Sequence, residues 1–385
     1  MTTLNSVPSG LLSTVDTTGT LNIQTNSVNA LAIDNNQNAT MNYVSAQNTF
    51  GFKNRIINGA MVINQRAFSG SATDGTYTLD RWFTGASQAS KFTVSQNAGS
   101  VTPPAGFTNY LGATSSSAYT VGSSEHFDVN QFIEGYNVAD LGWGTANAKT
   151  VTLSFQVYSS LTGTFGGAIS NSNVTRSYPF TYSIPVANTW TSISITIAGD
   201  TGGSTSWVTT NGIGLRLWMS LGCGSTLSGT AGSWAGADYR SATGATSVVG
   251  TSGATFYITG VQLEKGNIAT SFDYRSISNE LALCQRYALV IIGGTSCYGT
   301  ATSGAAAYRM KLNQVVSMRA SPTTTFSGVS VAVPGIAGST LSSISTTYFV
   351  NGLVEYDVVT SSSYGSTLGQ TACIQGGTFT VSSEL

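Results

Sequence analysis

Strict alternation of apolar and polar residues over short runs is the feature that most limits how this chain can fold. One run carries Val151, Leu153, Phe155 and Val157, with Thr, Ser and Gln between them. Because successive side chains of a strand point to opposite faces, a period of two predicts strands with one buried and one solvated face. The same pattern recurs at 193–197, 213–221, 308–312, 329–333 and 379–381. We therefore predict an all-β protein with a β-sandwich as its main part.

The low charge of the chain excludes several classes of partner. Of 385 residues, 15 are Lys or Arg and 16 are Asp or Glu, so charged residues make up 8%, where soluble domains usually carry ~25%. The net charge is -1 and Lys and Arg do not cluster, so we expect binding neither to nucleic acid nor to anionic membranes. A hydrophobic fraction of 41% still suffices for buried cores, and the length predicts two or three domains.

No segment of the sequence predicts membrane insertion, a leader peptide or a cysteine-based site. The longest apolar run, at 288–292, is far shorter than the ~20 residues that a spanning helix needs. The start of the chain lacks a basic stretch followed by an apolar one, so no signal peptide is expected. Cys223, Cys284, Cys297 and Cys373 stand far apart, which predicts buried free thiols rather than a zinc site or a disulfide framework.

Two short alternating runs before residue 52 predict an assembly segment. They lie at 19–26 and 30–36 and are too short to enclose a core. Because isolated hairpins are only marginally stable, we expect residues 1–51 to pair with other copies or with another protein. The alternative is a local strand pair that folds onto the next domain.

One helix is expected to divide the rest of the chain into a larger and a smaller β domain. Ser276 is a suitable N-cap, Glu280 falls in the first turns, and Ile277, Leu281 and Cys284 are spaced to share one face. The predicted divisions are a sandwich over 52–275, a linking helix over 276–290 and a C-terminal β domain over 291–385.

Two features interrupt the strand pattern of the predicted sandwich. The apolar phase slips between Ile258 and Val261, and Gly260 is the residue at which a β-bulge would absorb the shift. Residues 222–253 are rich in Gly, Ser, Thr and Ala, so we expect a long surface excursion between strands. Excursions of this length often bind a ligand.

The residues that a catalytic or metal site would need are present but isolated. Alternation on a strand places His126, the only histidine, on the same face as Asp128, but no Gly-x-Ser-x-Gly motif accompanies them, which favours an ordinary polar strand face. Sixteen acids neither exclude nor indicate the carboxylate pair of a glycosidase. Asp200 or Asp34 could supply oxygen ligands for calcium, although turn chemistry explains both. We expect no enzyme, no bound metal and no other cofactor.

An uncharged surface rich in hydroxyl and amide groups, with aromatic residues beside glycine-rich turns, predicts glycan binding. Apolar CH faces of sugars pack on exposed rings, while Asn, Gln, Ser and Asp bond the hydroxyls. The candidate contacts are Trp143, Trp207, Trp234 and Tyr239. Each of them has an alternative role, as a plug at a sandwich edge or at a seam between subunits.

Sequence motifs in a fixed order are distributed over residues 52–287. They are RIING at 55–59, NQR at 64–66, YTLDRWF at 77–83, NVADL at 137–141, WGTA at 143–146, KTVTLSF at 149–155, ITGVQLEKG at 258–266, ATSFDYR at 269–275 and ELALCQRY at 280–287. As an ordered set they resemble bacteriophage virion proteins, in particular tail fibres that contain a jelly roll similar to carbohydrate-binding modules. The resemblance implies a jelly-roll domain over 52–275 and a place in the virion, extracellular in the mature particle.

The N-terminal segment carries a resemblance of its own. TLNIQ at 20–24 and AID at 32–34 resemble short repeats at the base of phage fibres, where three chains commonly wind together. This implies a homotrimer that is attached by its N-terminus to other phage tail or baseplate proteins. In such fibres the distal part, here 291–385, commonly contacts the host, whose surface polysaccharide is the expected partner.

Three functions are weighed on these grounds. The leading hypothesis is a trimeric tail fibre that adheres to host surface glycan. The alternative is an architectural capsid decoration, head or collar fibre that binds no glycan. Aromatic residues that converge on a concave face would favour adhesion, and their burial at seams would favour architecture. A capsule depolymerase comes third, because neither a repeat ladder nor an indicated acidic pair supports it.

Overall fold

The structure is a computed structural model of the chain. It describes residues 21–25, 28–33, 39–40, 52–202, 207–293, 295–303, 307–313, 316–333, 336–350, 353–361 and 368–385. The chain divides into two compact units, Met1–Gly51 and Phe52–Leu385. The finer domain boundaries expected from the sequence stay predictions.

The first unit contains the short strands β1 (Leu21–Thr25), β2 (Val28–Ile33) and β3 (Ala39–Thr40). They form an antiparallel sheet in the order β1-β2-β3. The two strands expected before residue 52 are therefore confirmed. Trimer formation and attachment to a particle through this segment stay predictions. Asp34, weighed above as a calcium ligand, lies outside the described residues.

The second unit begins with the strands of the sandwich. In chain order they are β4 (Ser69–Ser71), β5 (Thr76–Tyr77), β6 (Phe83–Ala86), β7 (Phe92–Gln96), β8 (Leu111–Ser115), β9 (His126–Glu134), β10 (Val151–Ser159), β11 (Gly163–Ser170), β12 (Ser177–Ile184), β13 (Thr191–Ile197), β14 (Ile213–Cys223), β15 (Ser228–Gly229), β16 (Ser241–Ala242) and β17 (Thr255–Lys265). Short 3₁₀ helices occupy Ala98–Ser100, Gly135–Asn137, Ala139–Leu141 and Ser225–Leu227. The strands predicted at 151–157, 193–197 and 213–221 are confirmed as β10, β13 and β14.

Two six-stranded antiparallel sheets pack face to face. The first sheet has the strand order β13-β10-β17-β8-β7-β4, and the second has the order β12-β11-β14-β9-β6-β5. Their inner faces share one hydrophobic core, in which Leu153 and Phe256 of the first sheet lie with Phe127 and Met219 of the second. From β8 to β14 the chain passes repeatedly between the two sheets. The all-β fold and the sandwich are thus confirmed.

Strand β17 contains the predicted bulge. Gly260 and Val261 together stand opposite Phe155 of β10. Gly260 has a φ of +62°, a left-handed conformation that glycine adopts without steric cost. The bulge lets Ile258 and Val261 both point into the core in spite of their three-residue spacing.

The segment between β14 and β17 is a surface excursion only in part. Val248 and Val249 are buried in the sandwich core. The short strand β16 lies close against the outer face of the second sheet, where a Cβ at Gly166 would come within 2.6 Å of Ser241 Oγ. Small residues on both sides permit this approach, so the glycine-rich composition at 222–253 reflects close packing as well as turns.

The predicted helix is α1 (Ile277–Gln285), and Ser276 caps it by accepting a hydrogen bond from the third helical N–H. Its buried face differs from the predicted one, because Ile277 is exposed while Glu280 is buried. Glu280 turns inward because its carboxylate accepts a hydrogen bond from the backbone N–H of Asn58. Across the described part of the chain, no helix is long and apolar enough to cross a membrane.

The C-terminal strands build a smaller β structure. They are β18 (Ala288–Ile292), β19 (Thr295–Ser303), β20 (Ala307–Asn313), β21 (Thr323–Ser327), β22 (Ser330–Val333), β23 (Ile336–Val350), β24 (Leu353–Thr360), β25 (Thr371–Gln375) and β26 (Thr378–Ser382). Six of them close into a barrel in the order β19-β20-β24-β23-β22-β25, and β18-β26-β21 form a separate sheet. Met310, Tyr356 and Ile374 lie in a core of their own.

All four cysteines are free. Cys284 and Cys297 are buried as predicted, whereas Cys223 and Cys373 are half-buried. Burial raises the pKa of the Cys297 thiol to about 12, so this thiol stays protonated and unreactive at neutral pH.

Candidate functional site

Three of the four aromatic residues singled out in the sequence lie together where three loops of the sandwich meet. Trp143 follows the 3₁₀ helix Ala139–Leu141, Trp207 precedes β14, and Trp234 lies between β15 and β16. Their ring centroids are 4.9 Å (Trp143 to Trp207), 5.2 Å (Trp143 to Trp234) and 5.5 Å (Trp207 to Trp234) apart, all in edge-to-face geometry. This arrangement favours each pair, and we term the three residues the tryptophan cluster.

Each indole N–H of the tryptophan cluster donates a hydrogen bond within the protein. The acceptors are Lys149 O for Trp143 at 2.7 Å, Ala198 O for Trp234 at 2.8 Å and Asp200 Oδ2 for Trp207 at 3.0 Å. These bonds orient the rings before any ligand arrives. A ligand therefore meets the cluster through ring faces and edges rather than through the indole N–H groups.

Asp200 is the buried anion that holds Trp207 of the cluster in place. Arg176 donates two hydrogen bonds to its carboxylate, from Nε at 3.2 Å and from NH2 at 2.5 Å. Burial pushes the pKa of Asp200 upward, but the bonds from Arg176, Trp207 and the Gly202 N–H outweigh burial and hold this pKa below its ordinary value. The bond from Gly202 confirms the turn interpretation of Asp200.

A cavity of about 460 Å³ opens beside the tryptophan cluster, and we term it the tryptophan cavity. Trp143 and Trp207 form its aromatic wall, and Leu141 and Leu215 add apolar surface. The other lining residues are Val138, Ala139, Gly142, Gly144, Thr145, Val208, Thr209 and Gly214. None of the described residues that line it has an ionisable side chain, so the cavity offers apolar surface, hydroxyl groups and backbone dipoles.

The four candidate residues differ in what they offer a ligand. Trp143 is only 7% exposed, while Trp207 and Trp234 are half-buried. Trp234 contacts both of the other rings but is not among the residues that line the cavity. Tyr239 lies elsewhere, with its ring over Gly229, where an added Cβ would come within 2.2 Å of it. The roles of all four in glycan binding stay predictions.

A second group of aromatic residues lies outside the set predicted from the sequence. Phe107, Phe272 and Tyr274 touch one another and line a separate cavity. The available signal was the alternation of Phe272 and Tyr274 in the motif at 269–275. Phe107 comes from a distant part of the chain, so no local pattern links it to the other two.

His126 and Asp128 form the pair that alternation predicted, but both nitrogens of the imidazole are engaged. Nδ1 lies 2.8 Å from Asp128 Oδ2, and Nε2 lies 2.5 Å from NH1 of Arg240. A guanidinium can only donate, so these partners assign the proton to Nδ1. The pair therefore belongs to a polar network on the strand face. No group of three or more His, Cys, Asp or Glu side chains is placed to hold a metal within the described residues.

No protein-family model and no curated protein matches the chain. Among solved structures, the chain is similar to a provisionally named sugar binding protein from Bacteroides thetaiotaomicron, with 14% identity over 56% of this chain and 100% of that chain and a TM-score of 0.32. It is also similar to the enzymatically active domain of bacteriophage CBA120 tailspike protein 4, with 12% identity over 55% of this chain and 21% of that chain and a TM-score of 0.31. A third is a family 11 carbohydrate-binding module from Clostridium thermocellum in complex with a mixed-linked tetrasaccharide, with 14% identity over 53% of this chain and 99% of that chain and a TM-score of 0.27. TM-scores of this size do not establish a shared fold, so the architecture rests on the sheet topology above.

Proposed function

We propose that this chain is a structural and adhesive protein whose sandwich binds a neutral glycan in the tryptophan cavity. The observation that carries the proposal is the lining, in which two indole rings face a space bordered by apolar, glycine and threonine residues. Sugar rings present apolar CH faces that pack on aromatic surface, and their hydroxyls bond to uncharged polar groups. The lining matches both requirements and offers no charge to select an ionic ligand.

The size of the tryptophan cavity supports a stretch of polysaccharide as the ligand. Its volume of about 460 Å³ falls within the ~300–1,000 Å³ typical of small-molecule sites. The rings are already held in place by Asp200 and two backbone carbonyls, so binding costs little ordering of side chains.

Binding rather than hydrolysis is the proposed activity. Hydrolysis of a glycosidic bond normally requires two carboxyl groups roughly 5–10 Å apart across the sugar. The described lining of the tryptophan cavity supplies none, and Asp200, which bonds the Trp207 indole, is engaged by Arg176 and Trp207. We therefore propose an adhesin rather than an enzyme.

The proposal includes a place in a phage virion, as a homotrimeric tail fibre attached through residues 1–51. The ordered motifs at 52–287 and the N-terminal segment support it, and three weak sites in one trimer would gain avidity through effective concentration. A trimer has three times the 39.8 kDa of one chain, which a solution mass measurement resolves. A stable full-length monomer, or incorporation into particles of a chain lacking residues 1–49, would contradict this part.

An architectural fibre that binds no glycan is the second candidate, and one observation favours it. Trp143 is only 7% exposed, and the three indole N–H groups are all bonded within the protein. A cluster of this kind also stabilises the junction of three loops without any ligand.

Replacement of Trp207 separates the two candidates. Trp207→Ala removes half of the aromatic wall, so we expect binding to an immobilised panel of purified bacterial surface polysaccharides to weaken at least about tenfold. Trp190→Ala is the matched control, because Trp190 is also half-buried and donates its indole N–H to a protein oxygen, Thr102 O, away from the cavity. Binding that both variants retain, or no binding by the wild type, would favour the architectural candidate.

A further inference from the structure

A second cavity, of about 220 Å³, lies where the segments 59–62, 106–108 and 272–275 meet. It shares no lining residue with the tryptophan cavity. The ring centroids of Phe107, Phe272 and Tyr274 lie 4.9 to 5.6 Å apart in its wall. Phe107 and Phe272 are half-buried and Tyr274 is 60% exposed, so the three rings present apolar surface to a ligand.

Asp273 is the polar group in this second cavity that has acceptor capacity to spare. Its Oδ2 accepts a long hydrogen bond from the Asn54 N–H at 3.4 Å and lies 3.7 Å from Arg275 Nε. Within the described residues Oδ1 has no hydrogen-bond partner, and the side chain is 30% exposed. The other two charged residues in the lining are engaged, since Arg275 pairs with Glu280 at 3.4 Å and donates to Ile56 O at 3.1 Å.

Two glycines permit the rings of this cavity to lie close to the backbone. Gly106 has a φ of +89°, and a Cβ there would lie 2.5 Å from Tyr274 OH. Gly260, in the bulge of β17, has a φ of +62°, and a Cβ there would lie 2.6 Å from Phe107 Cζ. Both positions combine a left-handed backbone with close approach of a ring, which only glycine permits without strain.

We propose that the second cavity binds one sugar ring with adjacent hydroxyl groups, so that each chain has two glycan sites. The choice of a sugar as the ligand rests on the proposed function, whereas the location of the second site does not. The volume is below the ~300–1,000 Å³ of typical small-molecule sites, which fits one ring or a chain end rather than a longer segment. A carboxylate accepts hydrogen bonds from two adjacent hydroxyls, while the CH face of the sugar packs on the exposed ring of Tyr274.

An ammonium group is the other chemistry that aromatic rings and a carboxylate bind together. An aromatic cage surrounds the cation, and therefore leaves a space between its rings. Here the Phe272 ring lies edge-on to the rings of Phe107 and Tyr274, at 73° to each, with centroids 5.1 and 4.9 Å away, so the rings themselves fill the space that a cation would need between them. This geometry favours a sugar that packs on the exposed face of the Tyr274 ring over a cation enclosed between the rings.

The test uses the full-length chain and a panel of methyl glycosides of glucose, galactose, mannose, rhamnose and N-acetylglucosamine, with binding read by saturation-transfer NMR. We expect at least one glycoside to bind. Asp273→Asn should raise its Kd at least about tenfold, because it removes a charged hydrogen-bond acceptor, and Tyr274→Ala should do the same. Tyr136→Ala is the matched control, because Tyr136 is equally exposed but lies outside the cavity.

Trp207→Ala distinguishes failure of the second site from failure of the proposed site in the tryptophan cavity. The second site is supported if the glycoside still binds Trp207→Ala and loses affinity only in the Asp273 and Tyr274 variants. It is overturned if no glycoside binds, if Trp207→Ala alone abolishes binding, or if choline binds this cavity and the glycosides do not. Thermal unfolding of each variant, with Tyr274→Phe as the conservative replacement, establishes that a lost signal reflects the site and not the fold.

Discussion

The junction between the sandwich and the end of the chain differs from the C-terminal barrel in how it uses the few charges of this chain. Where the end of the chain returns to the sandwich, Arg81 is 1% exposed and pairs with Glu384, which is 7% exposed. On the barrel, Arg309 pairs with Asp357 at 3.0 Å, but the two side chains are 52% and 42% exposed. In a chain with 8% charged residues, the location of a charge says more about its contribution than the number of charges does.

Buried and half-buried charges form a seam between the sandwich and the C-terminal strands, defined here by Arg66, Arg81, Glu134, Arg286 and Glu384. Arg66 also pairs with Glu384, at 3.0 Å, and Arg286 donates two hydrogen bonds to Glu134, at 2.6 and 2.9 Å. A buried ion pair stabilises the fold little more than an apolar pair of the same shape. Loss of one partner is nevertheless strongly destabilising, because it leaves a buried charge with neither a counter-ion nor water around it. The seam should therefore be intolerant of single substitutions.

The largest expected effect is that of Arg81→Met. It leaves Arg66 as the remaining ion-pair partner of Glu384 among the described residues, removes a hydrogen bond of 2.5 Å to Phe132 O and removes the guanidinium that lies 3.7 Å from the Tyr287 ring centroid. We expect the free energy of unfolding to fall by about 3–5 kcal/mol, measured by denaturant unfolding followed by tryptophan fluorescence. Arg81 has a φ of +69°, and Met tolerates that conformation no better, so backbone strain is matched between the two proteins.

A double-mutant cycle attributes this loss to the ion pair. Glu384→Gln and the double variant complete the cycle with Arg81→Met, and we expect a coupling energy above about 1 kcal/mol. A coupling energy near zero would mean that Arg81 stabilises the seam through Phe132 and Tyr287 instead.

The next effect depends on pH and is carried by Glu134. Burial pushes the pKa of Glu134 upward, but hydrogen bonds from Arg286 and from Tyr287 OH, at 2.6 Å, outweigh burial and hold it below its ordinary value of 4.5. Because the folded pKa is lower than the unfolded one, the stabilisation by Glu134 is complete above pH 4.5 and is lost as the pH falls through the folded pKa.

Glu134→Gln lacks this contribution at every pH, so the difference in unfolding free energy between it and the wild type should shrink on acidification. Urea unfolding of both proteins at neutral pH and below about pH 4 measures that difference. Asp80 acts in the opposite sense, because burial raises its pKa, but it is present in both proteins and cancels. A difference that stays constant with pH would contradict the assigned role of Glu134.

Much of the fold was predictable because it follows from local patterns. A period of two needs only neighbouring residues, and it located β10, β13 and β14, while the three-residue step at Gly260 located the bulge. The pairing of strands and the seam depend on contacts between distant residues. Arg81 shows the limit, because nothing around it in YTLDRWF indicates that Glu384 will cover it. Helix α1 shows the same limit. Its buried face contains Glu280 rather than Ile277, because Glu280 accepts a hydrogen bond from Asn58, which is distant in sequence.

The candidate site was predictable in its residue types but not in its geometry. Tryptophan beside glycine-rich turns marks loops, and Trp143, Trp207 and Trp234 meet because the ends of different strands converge. Tyr239 obeys the same local pattern and lies elsewhere, over Gly229. Only the folded chain distinguishes the two cases, and the same holds for the second cavity, whose three walls come from distant segments.

The smallest expected effect on stability is that of removing the exposed ion pair on the barrel. Arg309→Met removes a pair that bridges β20 and β24 across the outer face, where Arg309 stands opposite Asp357. Water already solvates both groups, and holding two long side chains together costs entropy, so the attraction nearly cancels. We expect the unfolding midpoint to stay within experimental error of the wild type, at low salt as well as high. A loss comparable to that of Arg81→Met would mean that the pair is shielded from solvent, for instance by a second copy of the chain, and the contrast between seam and barrel would then fail.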